Sequence, residues 1–157
     1  MQRPFVEVDV FTDQPYRGNP LAVVLDGSGL TNEEMQRFAT WTNFSETTFL
    51  LPPSDPGADY LVRIFTTTSE LPFAGHPTLG SCHAWLAAGG TPRHADRIVQ
   101  QCGVGLVDIR RDDATGRLAF AAPSLLREGP LDDATVGEAA AALGIDRAAI
   151  VDSAWID

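Results

Sequence analysis

The chain has 157 residues with ordinary shares of aromatic (8%) and charged (20%) side chains, enough to bury a sizeable core as one domain. A net charge of −10, with only 11 basic residues and no basic run, excludes nucleic acid as an expected partner. Two cysteines, Cys82 and Cys102, in no CxxC or CxxH pattern, exclude a disulfide framework and fit a reducing, cytoplasmic compartment.

In chain order, Phe5 to Phe11 alternates polar residues at Glu7 and Asp9, which predicts a strand with one wet face. The residues from Thr12 to Pro20 are dense in turn formers and predict a loop. Leu21 to Leu25 predicts a second strand. Thr31 to Thr40 is a helix opened by a capping box of Thr31 and Glu34, with Met35, Phe38 and Ala39 as its apolar stripe. Glu46 to Leu51 and Tyr60 to Thr66 predict two further strands, separated by the loop at Pro52 to Gly57.

From Leu71 to Pro92 there is no Asp, Glu, Lys or Arg. Pro77 suits a first helical turn and Gly89-Gly90 a stop, so Thr78 to Ala88 predicts a helix apolar on nearly every side and buried all round. Its glycines, prolines, histidines and hydroxyls favour a core helix over a membrane span. Strands are then expected at Arg97 to Cys102, Gly105 to Arg110 and Gly116 to Ala121. Asp132 to Leu143 predicts an Ala-rich helix, Asp146 to Ile150 a helical turn, and Ser153 to Asp157 a strand. Six or more strands around one central helix make an α+β arrangement, with a closed or nearly closed sheet hiding the helix.

Three groups could carry chemistry. Glu46, with Phe44 and Phe49 near it in sequence, suits a proton donor or acceptor, against the plainer reading of a strand-start carboxylate in water or a helix cap. His76 stands at a helix start whose unpaired N–H groups attract an anion, against a capping or structural His. Asn19, between Gly18 and Pro20, could bind a carboxylate or hydroxyl, though a turn residue is the plainer reading. His83 lies seven residues beyond His76, a poor metal spacing with no third ligand, and is read as packed or half-exposed. Cys82 is read as an inert core thiol.

Four segments, in order, carry a resemblance: Val8 to Thr12, Arg17 to Val24, Asn43 to Phe49, and Phe73 to Gly80. Together they resemble the PhzF-like phenazine-biosynthesis family, a relative of diaminopimelate epimerase and proline racemase. The resemblance implies a diaminopimelate epimerase-like half, a mixed β-barrel-like sheet wrapped around a buried central helix. It places that barrel at residues 1–128, with a linking helix and the start of a second domain at 129–157. It implies an isomerase that uses no metal or organic cofactor. Glu46 would move the proton, Asn19 and His76 would contact the substrate, and Gly75 and Thr78 at the helix start would help hold it. The expected partners are a small carboxylate-bearing metabolite and a second copy in a homodimer, with no nucleic acid and no membrane. The epimerase branch carries a catalytic Cys where this chain has Ala74, which counts against an amino-acid epimerase or racemase. Family members are about twice as long. The chain is therefore expected to be a fragment, a half-protein that pairs to rebuild the cleft, or a remnant. The alternative of another class is a non-catalytic binding or oligomerisation module.

Overall fold

Apolar strand segments build the sheet of the computed structural model, which describes residues 2–112, 114–122, 124 and 127–156. Two compact units divide the chain, Met1–Ala122 and Pro123–Asp157.

In the first unit the strands are β1 (Phe5–Val10), β2 (Asn19–Val24), β3 (Thr47–Leu51), β4 (Tyr60–Phe65), β5 (Glu70–Leu71), β6 (Arg97–Cys102), β7 (Gly105–Arg111) and β8 (Leu118–Phe120). They form one mixed sheet in the order β1-β2-β3-β4-β6-β7-β8, with β5 paired to β4. Neighbours are antiparallel except β2–β3 and β4–β6, which are parallel. Each parallel pair is bridged by a helix, because a parallel return must cross the sheet. These helices are α1 (Asn32–Thr42) and α2 (Gly75–Ala87).

The two helices cover opposite faces. Strand β3 shows this residue by residue. Phe49 packs with Val24, Met35, Ala39 and Phe65 in the cluster under α1. Leu50 joins the larger core that contains Cys82 and Ala84 of α2. A strand covered on both sides reads as continuously apolar, and Thr47 to Leu50 are all buried. Its two threonines are buried because each hydroxyl has a partner. Thr47 Oγ1 meets Thr42 Oγ1 at 3.1 Å, and Thr48 Oγ1 accepts from Ser81 Oγ at 2.9 Å.

The capping box at the start of α1 forms as expected. Glu34 N–H donates to Thr31 Oγ1 at 3.2 Å, and the Thr31 N–H donates to Glu34 Oε2 at 2.8 Å. That second bond holds the Glu34 carboxyl below its ordinary range. Helix α2 begins three residues before the predicted Thr78, so Gly75, His76 and Pro77 form its first turn. It is not buried all round. It contacts β1, β2, β3, β6 and β8, but His83 is exposed. The reason is that β1 and β8, at the two ends of the sheet order, do not pair. A groove of about 1020 Å³ opens there, lined by Glu7 to Asp13 from the β1 side and Thr115 to Leu118 from the β8 side, with Leu79, Gly80 and His83 of α2. The sheet is thus a half-barrel around α2.

The second unit holds β9 (Glu128–Pro130) paired antiparallel with β10 (Ala154–Ile156), and α3 (Asp133–Leu143) between them in sequence. Asp132 caps α3 by accepting from the Thr135 N–H at 2.8 Å, and Gly144 ends it in a left-handed conformation. The helical turn expected at Asp146 to Ile150 is a short 3-10 turn at Arg147–Ala149. The Arg127 guanidinium lies 3.6 Å from the Trp155 ring centroid. Two strands escape the sequence reading, β5 and β9. Both are two or three residues long, too short to show an alternation.

Candidate active site

Four chain ends converge at one end of the half-barrel. They are the exit of β1, the entry of β2, the entry of β3 and the start of α2. Asn19 opens β2 opposite Val10. Glu46 sits one residue before β3, whose Thr47 lies level with Ala22 of β2.

The turn that presents Glu46 is fastened on both sides. Asn43 ends α1 at φ 59, with its N–H on the Ala39 carbonyl. Thr42 Oγ1 also donates to Ala39 O at 3.1 Å while meeting Thr47. The loop that presents Asn19 is fastened by Asp9. Its carboxylate accepts the N–H of Arg17 at 3.1 Å and of Gly18 at 3.0 Å. A Cβ on Gly18 would stand 2.1 Å from the Val10 carbonyl oxygen, so only glycine fits there. Among the described residues the Asn19 side-chain amide makes no hydrogen bond within the chain.

The helix start is open. Ala74 is the N-cap of α2 and its side chain has no acceptor to offer the first N–H groups. The backbone N–H groups of Gly75 and His76 therefore add to the positive end of a 13-residue helix. Gly75 is packed from outside: a Cβ there would lie 3.1 Å from Phe120 Cζ of β8.

His76 joins the carboxyl group to the helix start. Its Nδ1 lies 3.3 Å from Glu46 Oε2, with the His side chain 7% exposed and the Glu side chain 20%. With Nδ1 turned to the Glu46 carboxyl group, Nε2 is the ring nitrogen left to a ligand. Among the described residues Nε2 is buried with no partner. A buried polar atom left unpaired costs about 1–3 kcal/mol, and a ligand group removes that cost. The Phe11 ring lies beside it, with centroids 6.3 Å apart.

The structure therefore brings Glu46, His76 and Gly75 together, with Asn19 at the same end of the sheet. Thr78, expected to help hold the substrate, has its hydroxyl engaged within the chain. It is fully buried, its hydroxyl donating to Ala74 O at 2.9 Å and accepting from Gln100 Nε2 at 3.0 Å. Gln100 in turn accepts from Tyr60 Oη at 3.0 Å. Thr78 thus has its hydroxyl spent on holding the helix start to β6 and β4. His83, expected to be packed or half-exposed, lines the groove instead. Cys82 is buried, and burial pushes its thiol up to about 12, so it is no nucleophile. No group of His, Cys, Asp and Glu among the described residues could hold a metal ion. Sequence reasoning missed Asp9, Gln100 and Phe11. Nothing local marks Gln100, which reads as one polar residue in a strand. Asp9 could have been found from the turn-rich loop that follows it and needs an acceptor for its N–H groups.

This half-barrel around a helix is the fold of the epimerases and racemases related to diaminopimelate epimerase. The chain superposes on a hydroxyproline epimerase from Agrobacterium vitis with a TM-score of 0.51 at 14% identity, covering 72% of this chain and 40% of that one, a likeness of fold alone. A family model described as phenazine biosynthesis-like protein, PhzC-PhzF, matches residues 8–130, and the chain belongs to that family.

A PhzF-family phenazine biosynthesis protein from Bacillus anthracis superposes with a TM-score of 0.74 at 30% identity, over 94% of this chain and 49% of that one. The trans-2,3-dihydro-3-hydroxyanthranilate isomerase of Pseudomonas aeruginosa is 40% identical over 73% of this chain and 39% of its own length. Antisense-enhancing sequence 1 of Schizosaccharomyces pombe is 48% identical over 71% of this chain and 38% of its own. The chain thus spans well under half the length of these two curated relatives.

Proposed function

We propose that this chain supplies one wall of an isomerase active site that shifts a proton on a small carboxylate-bearing substrate without a cofactor. The observation that carries the reading is His76 Nε2, buried and unpartnered on a ring that stands in the uncapped first turn of α2 and turns its Nδ1 to Glu46. The open N–H groups of Gly75 and His76 bind the substrate carboxylate. Glu46 takes a proton from one substrate carbon and returns it to another, and His76 steadies that carboxyl through Nδ1. Asn19 contributes a side-chain amide from the entry of β2. The Pseudomonas aeruginosa relative, named for an isomerisation of a substituted anthranilate, supports both the reaction class and a carboxylate substrate. The partners in this reading are that metabolite and a second copy of the chain, in the cytoplasm.

The test is deuterium uptake. A dihydroanthranilate is incubated with the protein in deuterated water and its C–H signals are followed by NMR. Glu46→Gln keeps the shape of the side chain and removes its basicity, and exchange should fall by about 100-fold or more. Exchange that persists at the wild-type rate rejects Glu46 as the proton carrier.

A further inference from the structure

Phe11 is held where a phenylalanine does not go by itself. Strand β1 ends at buried Val10, and the next residue turns to φ 70, the left-handed region that bulky side chains avoid. The turn does not hide the ring in the core, for Phe11 remains 69% exposed. Its neighbours impose the conformation. Val10 is paired with Asn19, Asp9 holds the N–H groups of Arg17 and Gly18, and Thr12 Oγ1 accepts the Gln14 N–H at 2.9 Å. The strained backbone puts the ring at 6.3 Å and 49° from the His76 ring, beside the pair formed with Glu46. Strain that burial does not offset, held from outside and set against buried polar groups, is the pattern of a ligand site.

We infer that Phe11 determines specificity: its ring is the apolar wall of the substrate site and selects carboxylates carried on a flat, unsaturated ring over short acyclic ones. The inference rests on the proposed carboxylate site at the start of α2. A flat ring anchored there by its carboxylate can meet the Phe11 ring at the 4.5–7 Å centroid spacing of aromatic pairs. A short acyclic acid has no surface to offer Phe11.

Benzoate and acetate serve as probes, titrated separately into the wild-type chain and into Phe11→Ala, Phe11→Gly and Phe11→Tyr, with the His76 ring signals followed by NMR. Benzoate should bind the wild type more tightly than acetate does. Phe11→Ala and Phe11→Gly should weaken benzoate about five-fold and leave acetate unchanged, and Phe11→Tyr should keep the preference. Phe11→Gly should melt at or above the wild-type temperature, because glycine accepts φ 70 without strain. If both acids bind and Phe11→Ala changes neither, the Phe11 inference alone is overturned. A fall in the melting temperature of Phe11→Gly overturns it too, since the ring is then a packing residue. If neither acid shifts the His76 signals, the carboxylate site fails and the inference falls with it.

Discussion

At the scale of single residues, the site is built from groups left incomplete. His76 is the clearest. It is 93% buried at its side chain by the 7% exposure it retains, yet Nε2 has no partner among the described residues. Nε2 is a liability, but Nδ1 faces Glu46, so an apolar replacement gains at one nitrogen and loses at the other. His76→Leu should lose about 1–2 kcal/mol in thermal melts, because it leaves the Glu46 carboxyl group without its partner, and benzoate affinity should be lost with it. A large fall in melting temperature with unchanged binding would show that His76 serves packing instead. Glu46 and His76 stood out as candidates from residue type and position, because a carboxylate after Phe44-Ser45 and a His at a helix start are local features. The engagement of Thr78 was not legible, because whether its hydroxyl is spent depends on Gln100, 22 positions away in sequence.

At the scale of elements, α2 decides the candidate site because its first turn is uncapped and its body fills the half-barrel. Its hold on the sheet depends on close approach. A Cβ on Gly80 would stand 2.5 Å from Leu21 Cδ2 and 2.8 Å from Val10 Cγ2, both in the core. Two effects oppose each other in Gly80→Ala. Helix propensity favours alanine by about 1 kcal/mol, and overpacking a tight core costs about 1–3 kcal/mol. Leu21 is fully buried and cannot swing aside, so overpacking wins. Denaturant unfolding should show a net loss of up to about 2 kcal/mol, and a gain would mean that Leu21 and Val10 yield to the added methyl group. The body of α2 was readable from its uncharged run, and the capping box made the start of α1 readable. The start of α2 was placed three residues late, since Pro77, read as opening the helix, is its third residue.

At the scale of the whole molecule, burial sets how the fold responds to pH. Burial pushes the Cys82 thiol from an ordinary 9.0 up to about 12, and pushes the Tyr60 hydroxyl well above its ordinary 10.0. Both groups are neutral when protonated, and unfolding releases their protons more easily. The stability they contribute is therefore fully present below pH 9.0 and is lost as pH rises towards about 12. Denaturant midpoints should fall steadily across that window, and Cys82→Ala should flatten the fall. A flat wild-type profile would mean that the thiol ionises freely in the folded state. No helix among the described residues is long and apolar enough to cross a membrane.

Determined by the sequence alone were the elements with a local cause: the capping box, the alternating strands, the uncharged run of α2, and the four segments that resemble the family. Each rests on residues a few positions apart, which propensity and periodicity can read. The tertiary structure decided the rest. The fastening of the Asn19 loop by Asp9, the commitment of Thr78 to Gln100, the exposure of His83 in an unclosed seam, and the turning of Phe11 towards His76 all depend on partners brought together by the fold. Packing and hydrogen bonding act between neighbours in space, and such neighbours leave no periodic mark along the chain.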